Sequence, residues 1–244
     1  MSGVRSVTSN QDSVHKDLEK NVRKYARTQY MRPIALHTQE AFEQAREKIL
    51  TWAGQTDVAS IPVVLDSGCG TGESTIHLAR RFPDCTVLGI DKSEVRIGKS
   101  GNPSHVGPEG ILPPNAFWVR AELLDFWRLV LNDHWDVRYH AVYYPNPWPK
   151  QSECTRRFHM HPIFPTMLQL APVTELRTNW EIYAQEFRDA VSILGEESKT
   201  IPELANLRGI RAELSALLPN SPETAFERKY AAAGQPLWRV MVNR

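Results

Sequence analysis

The chain has 244 residues, 41% of them hydrophobic and 23% charged, with a formal net charge of +1, an ordinary profile for a globular protein. That balance excludes a protein that is basic all over and grips nucleic acid by bulk charge. No run approaches the roughly 20 apolar residues of a membrane span, and the polar N-terminal stretch lacks the apolar core of a signal peptide. Three cysteines (Cys69, Cys85, Cys154) without a CxxC pair exclude a disulfide framework and a cysteine zinc site, so the chain reads as cytoplasmic.

Residues 1–19 read as a flexible leader and 20–244 as one domain that opens on a basic arm. From Lys20 to Gln39 the run holds Lys20, Arg23, Lys24, Arg27 and Arg32, no acidic residue, and the interleaved Tyr25 and Tyr30. It is either a solvated helix face or an arm that contacts phosphates. Ala41, Phe42, Ala45, Ile49 and Trp52 stand at helical spacing over Glu40–Trp52. Then IPVVLD reads as a buried strand, Ser74 to Phe82 as a helix, and CTVLGID as a second buried strand. Gly101 to Pro114 is loop-like. NAFWVRAE, LLDFWRLVLND and HAVYYPNPWP read as strand, helix and strand, and Thr178–Leu194 is helical through Tyr183, Phe187, Ala190 and Val191. TAFERKY and PLWRVMV alternate and read as a terminal antiparallel hairpin. The order strand, glycine turn, helix, strand predicts an α/β fold with a mostly parallel, doubly wound sheet.

The glycine turn runs Asp66-Ser-Gly68-Cys-Gly70-Thr-Gly72. A Cβ there would hold a ligand away from the backbone. The dinucleotide fingerprint GxGxxG needs a small residue at position 73, where this chain has Glu73, a carboxylate that repels pyrophosphate at a helix N-terminus. A GxGxG turn with no phosphate to hold suits S-adenosylmethionine. Asp91 closes the second strand, where a carboxylate accepts bonds from both ribose hydroxyls. Glu122 either meets the adenine amino group or is a surface carboxylate. Together these residues predict a class I, Rossmann-like methyltransferase fold with Asp66, Gly68, Gly70, Gly72, Asp91 and Glu122 around the cofactor.

Pro145-Asn146-Pro147-Trp148-Pro149-Lys150 follows the fourth strand, at the sheet end where chemistry occurs in such folds. Three prolines make a rigid wall, and Trp148 offers a stacking surface. Here the chain resembles the bacterial tRNA (guanine-N7-)-methyltransferases, as a divergent member. YYPNPWPK is similar to the family's FPDPWPK, GCGTGESTIHLARRFPD to its glycine turn, RTNWEIYAQEF to its TDWExYA segment, and TAFE to its TxFE segment. ARTQYMR is more loosely similar to its basic N-terminal RRQGR. The resemblance runs from about Lys20 to the C-terminus, with a poor match over Ser192–Pro222. It implies catalytic positions at Asn146 and Asn179. It also implies tRNA-binding positions at Arg27, Trp148, Lys150, Thr178, Tyr183, Thr224 and Glu227, with phosphate contacts from Lys20 to Arg32 and from Lys150, Arg156 and Arg157.

Two family aspartates are Asn146 and Asn179 here, and the family's basic KKRH is Lys150-Gln-Ser-Glu153. Guanine N7 carries its own lone pair, so the site need only orient the purine and offset the charge that methylation creates. A carboxylate does both; an asparagine accepts one bond and supplies no charge. Three readings stand: methyl transfer to guanine N7 of tRNA, transfer to another acceptor such as a small-molecule or peptide amine, and a cofactor-binding relative without turnover. His37, His159 and His161 read as loop or surface histidines, with no metal site.

Overall fold

The computed structural model describes residues 7–101, 111–218 and 222–244. In chain order the helices are α1 (Leu18–Ala26), α2 (Leu36–Ala53), α3 (Glu73–Arg81), α4 (Glu94–Ile97), α5 (Leu123–Asn132), α6 (Phe164–Gln169), α7 (Glu181–Glu197) and α8 (Ala225–Ala232). The strands are β1 (Pro62–Ser67), β2 (Thr86–Asp91), β3 (Ala116–Arg120), β4 (Asp136–Tyr143), β5 (Val173–Thr178), β6 (Arg211–Ala216) and β7 (Trp238–Asn243). The chain divides into two compact units, one of Arg32–Tyr143 and one of Met1–Met31 with Tyr144–Arg244.

In the Arg32–Tyr143 unit, four parallel strands lie in the order β3-β2-β1-β4. The expected strand–turn–helix–strand run is there as β1, α3 and β2. Every β2 residue is buried, which is why that strand reads as a continuous apolar run instead of an alternating one. α2 buries Phe42, Ala45 and Ile49, and Phe42 meets Phe126 and Trp135 with ring centroids 5.4 and 5.2 Å away. Gly54, left-handed at φ 62°, ends α2 by donating to the carbonyls of Leu50 and Thr51. The buried Ser67 is satisfied in place: its Oγ meets His140 Nε2 at 2.8 Å and accepts from Trp127 Nε1 at 2.9 Å. Most of the expected loop after Gly101 (residues 102–110) lies outside the described residues.

In the other unit β7 is flanked by β5 and β6, antiparallel to both. The C-terminal antiparallel pairing exists, but its members differ from the expected hairpin. PLWRVMV supplies β7, whereas TAFERKY forms helix α8 and Arg211–Ala216 supplies the partner strand. The reason is local: Thr224 Oγ1 caps α8 by accepting from the Glu227 N–H at 3.0 Å, a T-x-x-E start signal that outweighs the alternation of Thr, Phe, Arg and Tyr. α7 carries the core of this unit, burying Tyr183, Phe187, Ala190, Val191 and Leu194 as its spacing predicts.

The expected flexible leader is packed from Ser9 onward. Ser9 Oγ donates to the Pro149 carbonyl at 2.6 Å, and Gln11 and His15 are buried and bonded to Glu186. Leu18, Val22 and Ala26 on α1 are buried, each large apolar side chain worth about 1.5–3 kcal/mol.

Candidate functional site

In the Arg32–Tyr143 unit the glycine turn is braced by two acids. Asp66 Oδ2 accepts from Ser74 Oγ and Thr75 Oγ1, both at 2.7 Å, tying the end of β1 to the first turn of α3. Asp91 Oδ2 accepts the Gly70 N–H at 3.1 Å, and Asp91 Oδ1 accepts the Ser93 N–H at 2.8 Å. The Arg96 guanidinium also reaches Asp91 Oδ1 at 3.2 Å. The Ala121 N–H donates to the Asp91 carbonyl at 3.1 Å, which brings the adjacent Glu122 to the same end of the sheet.

The glycines serve two ends. Gly68 and Gly70 have positive φ (81° and 60°), and a Cβ on either would enter open space. That is the surface a ligand can approach closely. Gly72, at φ 82°, is required by packing: its Cβ would lie 2.3 Å from Trp118 Nε1. The amides of Gly68 and Cys69 donate to Ile90 O, that of Gly70 to Asp91, and that of Gly72 to Cys69 O. These N–H groups therefore form no free nest for a pyrophosphate. With carboxylates beside the turn, the residues fit a cationic, phosphate-free nucleoside cofactor.

In the second unit, the segment from Tyr144 to Pro149 is held at both ends. Two non-glycine residues there have positive φ, Tyr144 at 52° and Trp148 at 44°, conformations that persist only when surroundings fix them. At the first, the Tyr144 N–H donates to the Arg177 carbonyl at 2.8 Å. Arg177 is buried and pairs with Glu175 at 2.9 Å and Glu227 at 2.8 Å. Burial, helped by the Glu227 charge, pushes the Tyr144 phenol well up. At the second, Asn146 Oδ1 accepts the Trp148 N–H at 3.2 Å, an Asx-type turn. The Arg156 guanidinium lies 3.4 Å from the Trp148 ring centroid.

The predicted acceptor-side residues fall into two groups. Asn146 and Lys150 are exposed, Trp148 is half-buried, Glu227 joins the turn through Arg177, and Thr224 is bonded to the Glu227 N–H as the cap of α8. Asn179 is half-buried, its Nδ2 3.4 Å from Gln235 Oε1. The buried Thr178 accepts from the Trp180 N–H, and Tyr183 stands against His159 with centroids 4.7 Å apart.

Arg157 is not the surface cation expected. It is fully buried and pairs with Glu186 at 2.7 Å. His159, expected in a loop or at the surface, is buried too, with Nε2 2.9 Å from Glu186 Oε2. Burial lowers the His159 pKa below its usual value, with Glu186 opposing. Burial acts to raise that of Glu186, but the bonds and charges of His159 and Arg157 outweigh it and bring it to about 2. Glu186 was legible: it lies three residues after Tyr183 on the apolar stripe of α7, where a charge requires a partner.

The basic arm is helix α1 and its sequel. Arg23 pairs with Glu19, Glu196 and Glu197, and Arg27 with Glu197 at 2.6 Å. Lys20, Lys24 and Lys150 are exposed and make no ion pair among the described residues.

Residues 60–240 match the model of a protein family described as "Putative methyltransferase". The chain belongs to this methyltransferase family. Curated relatives named tRNA (guanine-N(7)-)-methyltransferase include one from Cupriavidus pinatubonensis, 28% identical over 75% of this chain and 68% of its own length. Another, from Saccharophagus degradans, is 26% identical over 76% of each chain. A third, from Streptomyces coelicolor, is 32% identical over 58% of this chain and 51% of its own. A solved structure of an antibiotic-related methyltransferase covers 82% of this chain and 94% of its own at 16% identity, with a TM-score of 0.52, a likeness of fold.

The methyltransferase is thus an S-adenosylmethionine-dependent enzyme of class I, Rossmann-like fold that resembles the tRNA (guanine-N7-)-methyltransferases. Among the described residues, no helix is long and apolar enough to cross a membrane.

Proposed function

We propose that this methyltransferase modifies guanine N7 in tRNA, and that residues 20–244 act as one methyltransferase domain. The family match runs across both units, and the names of the relatives support this acceptor. The observation that carries the reading is the Tyr144–Pro149 segment, fixed in a strained conformation and tied through Arg177 to Glu227.

When bound, S-adenosylmethionine supplies an electrophilic methyl group on a sulfonium centre. Asp91 accepts from the ribose hydroxyls, which requires the exposed Arg96 side chain to yield its contact. Gly68 and Gly70 give the close approach, and Glu122 accepts from the adenine amino group. Asn146 and Asn179 orient the purine by hydrogen bonds. Trp148 and Thr224 complete the acceptor surface, and Glu227 contributes negative charge as the purine becomes cationic. Lys20, Lys24, Lys150 and Arg156 meet the RNA backbone, and the work is done in the cytoplasm.

The second reading, an amine acceptor on a small molecule or peptide, is favoured by the amides at Asn146 and Asn179. One experiment separates them: transfer of labelled methyl to bulk tRNA and, in parallel, to a small-metabolite extract. Label recovered as 7-methylguanosine supports the tRNA reading. Label confined to the extract overturns it.

A further inference from the structure

The segment that carries Asn146 is held by side chains from elsewhere in its unit. The Trp148 carbonyl accepts from Arg157 Nη2 at 2.9 Å and from Arg157 Nε at 3.2 Å. The rest of the guanidinium is committed: Nη1 donates to Glu186 Oε2 at 2.7 Å and Nη2 to Gln11 Oε1 at 2.9 Å. Glu186 is anchored in turn. Its Oε1 accepts from Gln11 Nε2 at 2.6 Å and from the His15 N–H at 2.9 Å, while Oε2 lies 2.9 Å from His159 Nε2. Ser9 Oγ donates to the next carbonyl along, that of Pro149, at 2.6 Å.

Two successive carbonyls of the turn are therefore bonded, one by a buried arginine and one by the N-terminal segment. The arginine's own geometry is set by an acid on α7 and a glutamine from that same segment. A left-handed tryptophan between two prolines has few local bonds to hold it, because neither proline can donate an N–H. Its conformation must come from partners outside the turn. A planar guanidinium presents its donors in a rigid fork that fixes the angles to the Trp148 carbonyl and to Glu186 together, whereas the three donors of an ammonium rotate about one nitrogen.

We propose that Arg157 is a positioning residue, locked by Glu186 and by Gln11 and Ser9 of the N-terminal segment, that sets the Pro145–Pro149 turn in the geometry that receives the methyl acceptor. This rests on the reading that the turn bears the acceptor. Residues 9–15 are then a working part of the enzyme.

The test uses Ser9→Ala, Ser9→Thr, Gln11→Ala and Arg157→Lys in the full chain. The readouts are the indole N–H resonance of Trp148 (assigned by its loss in Trp148→Phe), single-turnover methyl transfer to tRNA, and calorimetric S-adenosylmethionine affinity. In Ser9→Ala and Gln11→Ala the Trp148 resonance shifts or broadens. Transfer slows about tenfold, the loss expected for one hydrogen bond of about 1.4 kcal/mol, and cofactor affinity stays within twofold. Ser9→Thr, which keeps the hydroxyl, restores both. Arg157→Lys, which keeps the charge beside Glu186, does not. An unmoved Trp148 resonance in folded Ser9→Ala and Gln11→Ala overturns the clamp, even if transfer slows. A shifted resonance with undiminished transfer overturns the positioning role, and with it the assignment of the acceptor to this turn.

Discussion

Asp91 accepts the backbone N–H of Gly70 over 3.1 Å, so the carboxylate proposed to hold the ribose also holds the glycine turn proposed to face the cofactor. The two parts of the proposed site are not independent. Asp91→Ala removes the ribose bonds and loosens Gly70 together, and S-adenosylmethionine affinity falls by at least about tenfold, in line with the loss of charge-assisted bonds. Asp91→Asn retains an acceptor and loses less. Calorimetry on both variants checks the order; equal affinities in wild type and Asp91→Ala would remove Asp91 from the site.

Asn146 bears on the acceptor. Its Oδ1 accepts the Trp148 N–H, a bond an aspartate also makes, so Asn146→Asp changes the charge and leaves the turn intact. On the tRNA reading, the added carboxylate offsets the purine's developing positive charge, and the single-turnover rate on tRNA rises by about 10- to 100-fold. For an amine acceptor the sign reverses, because a carboxylate favours the protonated amine, whose lone pair is unavailable. A fall in the rate on tRNA would remove the first reading.

Acid stability follows from the cluster around Glu186. His159 is buried with its pKa lowered from 6.5. Below pH 6.5 the unfolded chain takes up a proton that the folded one resists, and stability declines as pH falls. Glu186 adds a second decline. Its pKa is lowered from 4.5 to about 2, so its contribution is complete above pH 4.5 and is lost as pH falls toward 2. Melting temperatures taken in steps from pH 7 to pH 3 should show both phases. His159→Gln, which keeps a hydrogen-bonding group but does not titrate, should lack the first; an unchanged slope between pH 6.5 and 5 would assign it elsewhere.

Among the basic residues, the free cations and the paired ones should separate. Reversing Lys24 and Lys150 to Glu flattens the salt dependence of RNA binding, by about 0.7–0.9 in log–log slope for each lost phosphate contact. Arg23→Glu instead faces Glu196 and Glu197 with a like charge. It lowers the melting temperature and changes the slope little. Binding measured at several salt concentrations, beside thermal melts, distinguishes the two; a flat response to the lysine reversals would make this face a solvated one.

The β1–α3–β2 run, the glycine turn and Asp91 were legible in the sequence because their signals are local. Buried parallel strands read as apolar runs, and a chain that turns repeatedly at positive φ favours glycine where it turns. The α8 helix was legible too, in the Thr224–Glu227 start signal, but the alternation of neighbouring side chains pointed the other way. A capping bond decides a helix start more directly than a period does. What the sequence left open was the fate of its charges. Nothing local distinguishes Arg156, stacked on Trp148, from Arg157, sealed against Glu186. Nor does anything local mark Gln11 as the partner of an acid 175 residues away. A basic side chain near a turn is a phosphate contact or a structural bond according to which distant groups converge on it. Burial of a charge is settled by that convergence, because only a paired charge can leave water without a large cost.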